Sequence, residues 1–260
     1  MEFLKCFGKF INNLRKIMKK IFLLIVILLT LASLIKAQGS KMFDAPFGMG
    51  GGYLPTWNFI NTDELNNTLL SANFPAVTKS GFFSSGGAGF AYIGFVPNLR
   101  IGGMGFGGST SEKTLAGNEN RETVVSISGG GVTIEYTFPF IKNVGVSLGT
   151  LIGGGSYQIE LFKNSGSFSW NEIINEIGTS TAPANYNRRL INNFFLISPA
   201  INIEIPIYYL AAVRLGAGYS FTLGDNWEVE NGLELSNVPS KISGDHFYVQ
   251  AGIFLGLFSY

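Results

Sequence analysis

Cysteine and histidine are almost missing from this 260-residue sequence, which has one of each, Cys6 and His246. Metal sites built from several Cys and His ligands are therefore excluded, and so is a disulfide framework. Charged residues are also scarce, at 13%, whereas hydrophobic residues make up 46%. This balance is the opposite of the one that keeps a chain disordered. Glycine is abundant, with 34 residues, but it does not recur at every third position, so a collagen-like triple helix is excluded.

Charge is distributed unevenly along the chain. Residues 1–37 hold seven basic residues and one acidic residue, whereas residues 38–260 hold 11 basic and 16 acidic residues, a net charge of −5. Binding to the phosphates of nucleic acid needs a basic face. The composition of residues 38–260 therefore argues against nucleic acid as a partner.

The basic N-terminal segment leads into an uncharged apolar run of 15 residues, Ile21 to Ile35. A spanning helix needs ~20 apolar residues, so this run is short for one. A basic segment, a short apolar run and a small residue such as Ala37 at its end are typical of a secretory signal peptide. We predict that residues 1–37 are an N-terminal extension and signal peptide, with Met18 as an alternative start. An uncleaved anchor is the competing interpretation, and residues 38–260 form the predicted exported domain.

Within residues 38–260, apolar side chains recur at every second position, which is typical of strands whose two faces meet different surroundings. Residues 209–223 are the clearest case, because one face is wholly apolar and the other is small or polar. The segments 132–138, 195–205 and 246–257 repeat the pattern. The eight predicted strands are residues 42–54, 82–96, 99–109, 132–138, 144–162, 195–205, 209–223 and 246–257.

One predicted strand, residues 144–162, changes its pattern halfway along. Its apolar residues stand at even positions before Gly153-Gly154-Gly155 and at odd positions, such as Tyr157 and Ile159, after them. A run of glycines inside a strand is typical of a β-bulge. We therefore expect a bulge at residues 153–155.

The predicted connections alternate strictly between short and long. The three short ones each contain proline, and the four long ones are rich in Asn, Ser, Thr, Glu and Gly. Such alternation is typical of an antiparallel up-and-down transmembrane β-barrel, the strand architecture that leaves no backbone group unpaired in lipid. The first long connection contains a capped helical pattern at 61–73, and Glu230-Asn231-Gly232-Leu233 predicts a hairpin in the last. The short connections are 97–98, 139–143 and 206–208; the long ones are 55–80, 110–121, 164–188 and 224–244.

The last strand ends with the aromatic residues Phe254, Phe258 and Tyr260. With the alternating strands, they make residues 43–260 resemble small bacterial outer-membrane β-barrels of the OmpX, OmpW and OmpA-transmembrane-domain kind. The resemblance implies a monomer in the outer-membrane lipid of a Gram-negative-type bacterium. It also implies that the barrel-assembly machinery reads these aromatic residues as a signal. The sequence departs from the usual pattern at Gly252 and Gly256, where larger apolar residues are usual.

Few ionisable residues fall on the predicted inner faces. Arg100, Glu135, Glu204 and Arg214 lie two to seven residues from their nearest short connections, and so at comparable depth. Opposite charges in a narrow lumen should pair, because an isolated charge there is poorly solvated. We predict a salt-bridge network that fills the barrel, with a charged constriction that gates a pore as the alternative. Glu160 is also expected to face inward.

Glycines cluster on four consecutive predicted strands and should lie abreast. They permit the bending that a small barrel needs. Alternatively, they leave room for the 61–73 helix folded inward or for a small apolar ligand. The cluster comprises glycines 86, 87, 89, 102, 103, 105, 107, 108, 129–131 and 153–155. The aromatic residues of the same wall are interpreted as lipid-facing or girdle residues rather than as a ligand site; they are Phe82, Phe83, Phe90, Tyr92 and Phe95.

The residues do not suggest an enzyme or a cofactor. Asp245 and His246 are adjacent on a strand and therefore point to opposite faces, and no serine lies two residues from His246 to build a nucleophile–base pair on one face. The favoured hypothesis is a non-enzymatic outer-membrane β-barrel protein with a structural envelope role and exposed loops. A narrow pore or transporter for a small apolar solute and a soluble exported β-protein that binds a ligand or surface are the alternatives.

Overall fold

The computed structural model describes residues 48–139, 144–165, 169–177, 185–208, 210–224 and 226–258. The predicted signal peptide lies outside these residues. The strands are β1 (Gly48–Tyr53), β2 (Thr56–Ile60), β3 (Phe82–Tyr92), β4 (Leu99–Ala116), β5 (Glu119–Thr137), β6 (Gly145–Ser165), β7 (Tyr186–Tyr208), β8 (Ala211–Leu223), β9 (Trp227–Val229), β10 (Leu233–Glu234) and β11 (His246–Phe258). The helices are α1 (Asp63–Ser71) and α2 (Trp170–Ile177). Neither of these helices has the length and apolar content needed to cross a bilayer.

The strands form a closed antiparallel ring of eight. β1 and β2 act as one strand interrupted at Pro55, because both pair with β11 on one side and with β3 on the other. From β3 to β8 each strand pairs with the next, and β8 pairs with β11. From Tyr53, the paired residues lead through β11 to Val213 on β8, and in the opposite direction through β3 to β7 they lead to Leu223 on β8. The ring therefore closes with a stagger of ten residues along β8. Such a stagger tilts the strands of a barrel. The predicted eight-stranded up-and-down β-barrel is confirmed.

The short connections β3–β4, β5–β6 and β7–β8 lie at one end of the barrel, which we call the lower end. The β4–β5 hairpin, α1, α2 and the β9–β10 hairpin lie at the opposite, upper end. α1 falls within the predicted helix 61–73. The predicted hairpin at residues 230–233 is also confirmed, because Glu230, Asn231 and Gly232 have positive φ angles between the paired strands β9 and β10.

The two faces of the ring strands differ as the alternation predicts. On β8, Tyr219, Phe221 and Leu223 are exposed on the outer face, whereas Arg214 and Ser220 are buried in the lumen. The strands β2, β5, β7 and β11 show the same alternation. The barrel therefore carries exposed apolar side chains on its outside, the arrangement that lipid-facing strands require.

Two predicted connections are wrong in extent. β4 and β5 pair without interruption up to Ala116 and Glu119, so the predicted loop 110–121 is almost wholly strand. Its polar residues suggest a loop, but a ladder that extends into water tolerates polar side chains on both faces. The first ring strand continues to Ile60, so the first long connection begins at residue 61 rather than at residue 55.

The predicted bulge in β6 is also wrong. β6 pairs with β5 and β7 without a register shift, and its odd-numbered residues face the lumen along the whole strand. Leu148 is exposed outside, whereas Tyr157 and Ile159 are buried inside. The apolar residues lie on the outer face in the lower half of β6 and on the inner face in its upper half, because the surroundings of the strand change with height. The prediction that Glu160 faces inward is also wrong, because even-numbered residues of β6 face outward. Glu160 Oε1 accepts a 2.6 Å hydrogen bond there from Gln158 Nε2.

Candidate functional site

The four ionisable residues predicted in the lumen lie together in one buried layer near the lower end. Arg100 pairs across β4–β5 with Glu135, and Arg214 pairs across β8–β7 with Glu204. Arg100 donates from Nε to Glu135 Oε2 at 2.7 Å and from Nη1 to Glu204 Oε2 at 2.9 Å. Arg214 donates from Nε to Glu204 Oε1 at 2.6 Å and from Nη1 to Glu135 Oε1 at 3.2 Å. Each arginine thus binds both glutamates, so the layer has no net charge and every buried charge has a counter-charge, as burial requires.

Two aromatic rings pack against this ionic layer. The Cζ atom of Arg100 lies 4.3 Å from the ring centroid of Phe90, and the Cζ atom of Arg214 lies 4.2 Å from that of Phe254. The two rings are 5.9 Å apart. Cation–π attraction between each guanidinium and its ring adds to the ion pairs. The ionic and aromatic side chains together fill the lower lumen.

Sequence reasoning missed the inward aromatic residues of β3. The sequence favours a lipid-facing or girdle position for Phe82, Phe90 and Tyr92, but all three are buried in the barrel. Their even numbers place them on the same face of β3 as buried Ser84. That shared parity is the signal that could have identified them, whereas odd-numbered Phe83 is exposed outside as expected.

Uncharged polar side chains form a second layer above the ionic one. Ser198 Oγ donates to the Tyr248 hydroxyl at 3.1 Å and lies 3.1 Å from Ser220 Oγ. Asn58 Nδ2 donates to Ser84 Oγ at 2.6 Å. All of these residues except Ser84 border a cavity of about 10 Å³, which is room for about one water molecule. The cavity bordered by the polar layer is therefore the size of one water molecule rather than of a channel.

His246 lines the same cavity and is 2% exposed. Its Nδ1 lies 2.7 Å from the carbonyl oxygen of Gly244, and its Nε2 has no hydrogen-bond partner among the described residues. Asp245 instead accepts two 2.7 Å hydrogen bonds, from the backbone N–H and the hydroxyl of Thr222. Asp245 therefore does not orient the imidazole, and the cavity is too small for a substrate.

An apolar third layer closes the upper lumen. We call residues 61–81 the plug, because Leu65 and Leu69 of α1 pack against the inward-facing side chains of the barrel strands in the upper lumen. The side chain of Asn66 stabilises the plug by two hydrogen bonds to the backbone of Val77, at 2.9 and 2.7 Å. The buried cluster comprises Ile60, Leu65, Leu69, Phe74, Val77, Phe82, Val125, Ile127, Leu151, Tyr157, Ile159, Phe194, Leu196, Trp227 and Ile242.

Two side chains of β5 hold the plug against the barrel wall. Arg121 Nη1 donates to the carbonyl oxygen of Asn73 at 2.9 Å, and its Cζ atom lies 5.9 Å from the ring centroid of Phe74. The Thr123 hydroxyl donates to the carbonyl oxygen of Pro75 at 3.1 Å. α1 is thus folded inward, but residues 61–73 are not among the nearest neighbours of the clustered glycines, so the structure does not show the helix as the occupant of the glycine-lined wall.

The predicted glycine cluster occupies the wall from β3 to β6. Gly87, Gly105, Gly130 and Gly154 are paired in one row, as expected, and they lie on the outer face. A Cβ on Gly105 would meet its nearest neighbour at 3.9 Å, whereas a Cβ on inward-facing Gly153 would lie 2.0 Å from a backbone carbonyl oxygen. Close packing therefore requires glycine at Gly153 but not at Gly105.

The aromatic residues of the predicted assembly signal have different positions. Phe254 faces the lumen, where it contacts Arg214. Phe258 ends β11, and Tyr260 lies outside the described residues. The outer face of β11 near this end carries exposed Ile253 and Leu255 instead. The assembly signal stays a prediction.

No protein-family model matches the sequence, and no curated protein is similar to it. Solved structures similar to this chain include outer-membrane and surface proteins. The attachment invasion locus protein Ail of Yersinia pestis has 9% identity and a TM-score of 0.40, over 81% of this chain and 97% of that one. The major outer membrane protein of Thermus thermophilus has 8% identity and a TM-score of 0.46, over 81% of this chain and 99% of that one. Neisserial surface protein A has 8% identity and a TM-score of 0.38, over 81% of this chain and 97% of that one. At these TM-scores, the barrel assignment depends on the strand pairing of this chain itself.

Proposed function

We propose that this protein is a non-enzymatic outer-membrane β-barrel, a monomer with a structural role in the envelope of a Gram-negative-type bacterium. The barrel-assembly machinery inserts it into the outer-membrane lipid, and its upper end, with the long connections, faces outward. One observation carries the proposal. The closed ring of described strands has no free edge, and its lower half exposes apolar side chains and glycine at alternate positions on the outside. Lipid is the medium that such a wall requires.

The same surface argues against a soluble exported protein. Side chains such as Phe221, Ile201 and Ile253 are exposed on the outer wall. Soluble monomers rarely expose a contiguous apolar surface of this extent. The ring strands have no second sheet against which this surface could be buried among the described residues.

The filled lumen supports a structural role over a pore. The ionic, polar and apolar layers follow one another along the axis, and each is closed by side-chain contacts. An eight-stranded barrel is just wide enough for side chains to fill it. We therefore expect the purified protein to be folded and non-conducting in lipid.

Two measurements on the purified chain test this function. A heat-modifiable barrel migrates differently on an SDS gel before and after boiling, so loss of this difference would contradict the barrel. In a planar bilayer, we expect no steady conductance. A steady opening that changes in Glu204→Gln but not in Glu230→Gln, a matched variant on the exposed β9–β10 hairpin, would support the alternative of a narrow pore.

A further inference from the structure

The imidazole of His246 is held in one tautomer, with one ring nitrogen left free. Its Nδ1 lies 2.7 Å from the carbonyl oxygen of Gly244. A carbonyl oxygen only accepts hydrogen bonds, so Nδ1 carries the proton and donates it. Nε2 is then the unprotonated nitrogen, and it has no hydrogen-bond partner among the described residues. The imidazole is therefore neutral, and Nε2 is the atom that would take up a second proton.

The surroundings of the ring are poorly suited to a positive charge. The cavity beside it has room for about one water molecule. The neighbouring carboxylate of Asp245 already accepts two hydrogen bonds from Thr222, and the ionic layer below has no net charge. A buried cation without a paired counter-charge is strongly unfavourable. The other cavity-lining residues come from six strands, and Tyr248 is the one titratable residue among them: Thr56, Asn58, Met104, Phe106, Leu151, Ser198, Ser220 and Tyr248.

His246 also lies at the base of the plug. It is the first residue of β11 and pairs with Ile60, the last residue of β2, and the plug begins with the next residue. The imidazole ring is 6.3 Å from the ring of Phe106, which packs against the apolar cluster that includes Leu65 and Leu69. A change at His246 therefore acts where the plug joins the barrel wall.

We propose that His246 is an acid-sensitive latch of the upper lumen. The neutral imidazole fits the closed barrel. Once protonated at Nε2, it needs solvent, and water reaches it when the plug moves away from the polar layer. Acid therefore favours a state in which the upper lumen is open. The upper end faces outward in the proposed function, so the medium outside the cell sets this equilibrium; that orientation rests on the proposed function, whereas the latch itself rests on the interior of the barrel.

The size of the effect follows from proton linkage. A solvated histidine takes up a proton near about pH 6.5. The open state binds this proton and the closed state does not, so the closed state becomes less stable as the pH falls. Between about pH 7.5 and about pH 5.5, the equilibrium constant for opening should rise about tenfold. Ordinary Asp and Glu side chains titrate near roughly pH 4, so the carboxylates stay ionised over this range.

The test measures amide hydrogen exchange of the plug, in the full chain in lipid nanodiscs, at about pH 7.5 and about pH 5.5. Each rate is divided by the intrinsic amide exchange rate at that pH. We expect the protection of residues 61–81 to fall about tenfold in the unaltered chain. His246→Gln is uncharged at both pH values and should show no fall. Tyr248→Phe alters a neighbouring lining residue but keeps the imidazole, so it should show the same fall as the unaltered chain.

A second measurement needs no substitution. The chain has a single histidine, so the tag-free, isotope-labelled protein gives one set of imidazole nitrogen signals in a nuclear magnetic resonance spectrum. We expect the neutral tautomer with a proton on Nδ1 as long as the plug is protected. The imidazolium signal should appear together with the loss of protection. This readout decides the question if His246→Gln does not fold.

Three results would overturn the latch. Equal falls in protection in the unaltered chain and His246→Gln would remove the histidine from the response, and no fall in the unaltered chain would remove the response itself. An imidazole that becomes protonated near about pH 6.5 while the plug stays protected would show that the closed barrel tolerates the charge. Each variant is first examined for heat-modifiable migration. Loss of that migration in the unaltered chain contradicts the barrel, whereas retained migration without the pH response contradicts only the latch.

Discussion

The lower and upper halves of the barrel have opposite polarity, although the same strands build both. In the lower half, the inner face holds Arg100 and Glu135 and the outer face is apolar; in the upper half, the inner face holds Val125 and Ile159 and the outer face is polar. The strands do not change register between the halves. The medium outside therefore decides which face is apolar: lipid below and water above.

The largest effect is expected in the lower lumen. Glu204→Leu leaves Arg100 and Arg214 buried with one carboxylate between them, and breaking such a buried pair costs ~3–5 kcal/mol of unfolding free energy. Urea unfolding of the barrel in lipid vesicles measures this loss. A variant in which all four charged residues become apolar should regain part of the stability. A loss below about 1 kcal/mol in the single variant would mean that the lower lumen is solvated rather than filled.

The outer wall provides the second comparison. Val213→Arg places a charge on the lipid-facing side of β8 and should cost ~2–4 kcal/mol or block insertion. Gln158→Arg, on the outer face of upper β6, should be nearly neutral because it lies in water. Insertion into vesicles and urea unfolding measure both. Similar losses for the two variants would contradict the inversion.

The glycine wall provides the third comparison, between inward and outward positions. Gly153→Ala puts a methyl group against a backbone carbonyl oxygen, and such overpacking should cost ~1–3 kcal/mol. Gly105→Ala meets nothing closer than 3.9 Å and should leave the urea midpoint unchanged. If the outward variant is the more damaging, the assigned faces of β4 and β6 are wrong.

The smallest effect concerns acid at the upper rim. Hydrogen bonds from Arg121 and Lys163 lower the pKa of Glu119. Because its pKa is lower in the folded state, this carboxylate stabilises the rim above its ordinary pKa and stops doing so as the pH falls through the lowered value. The hydrogen-exchange protection of the plug, which Arg121 holds, should therefore fall slightly in acid when each rate is divided by the intrinsic amide exchange rate at that pH. Glu119→Gln should lower this protection at neutral pH and remove that part of the acid response; unchanged protection in this variant would show that Glu119 does not stabilise the plug.

The sequence predicts the ring well because alternation is a property of each strand alone. It also predicts that Arg100, Glu135, Glu204 and Arg214 lie at one depth, since short connections set their distance from the lower end. Partners across the barrel are harder to predict. Parity groups Phe90 with Ser84 on one face of β3, whereas the regular course of β6 depends on what surrounds that strand at each height, which parity by itself does not contain.

Spin labels along β6 test the central claim most directly. Residues 38–260 contain no cysteine, so single cysteines can carry a label at each position from residue 146 to residue 160. We predict that labels at Leu148 and Ile152 are accessible to oxygen in lipid, that labels at Gln158 and Glu160 are accessible to a water-soluble nickel complex, and that the odd-numbered positions between them are protected. Two results would contradict a regular strand that passes from lipid into water. One is a switch of the accessible labels from even-numbered to odd-numbered positions at Gly153–Gly155, and the other is access of the nickel complex to labels at Leu148 and Ile152.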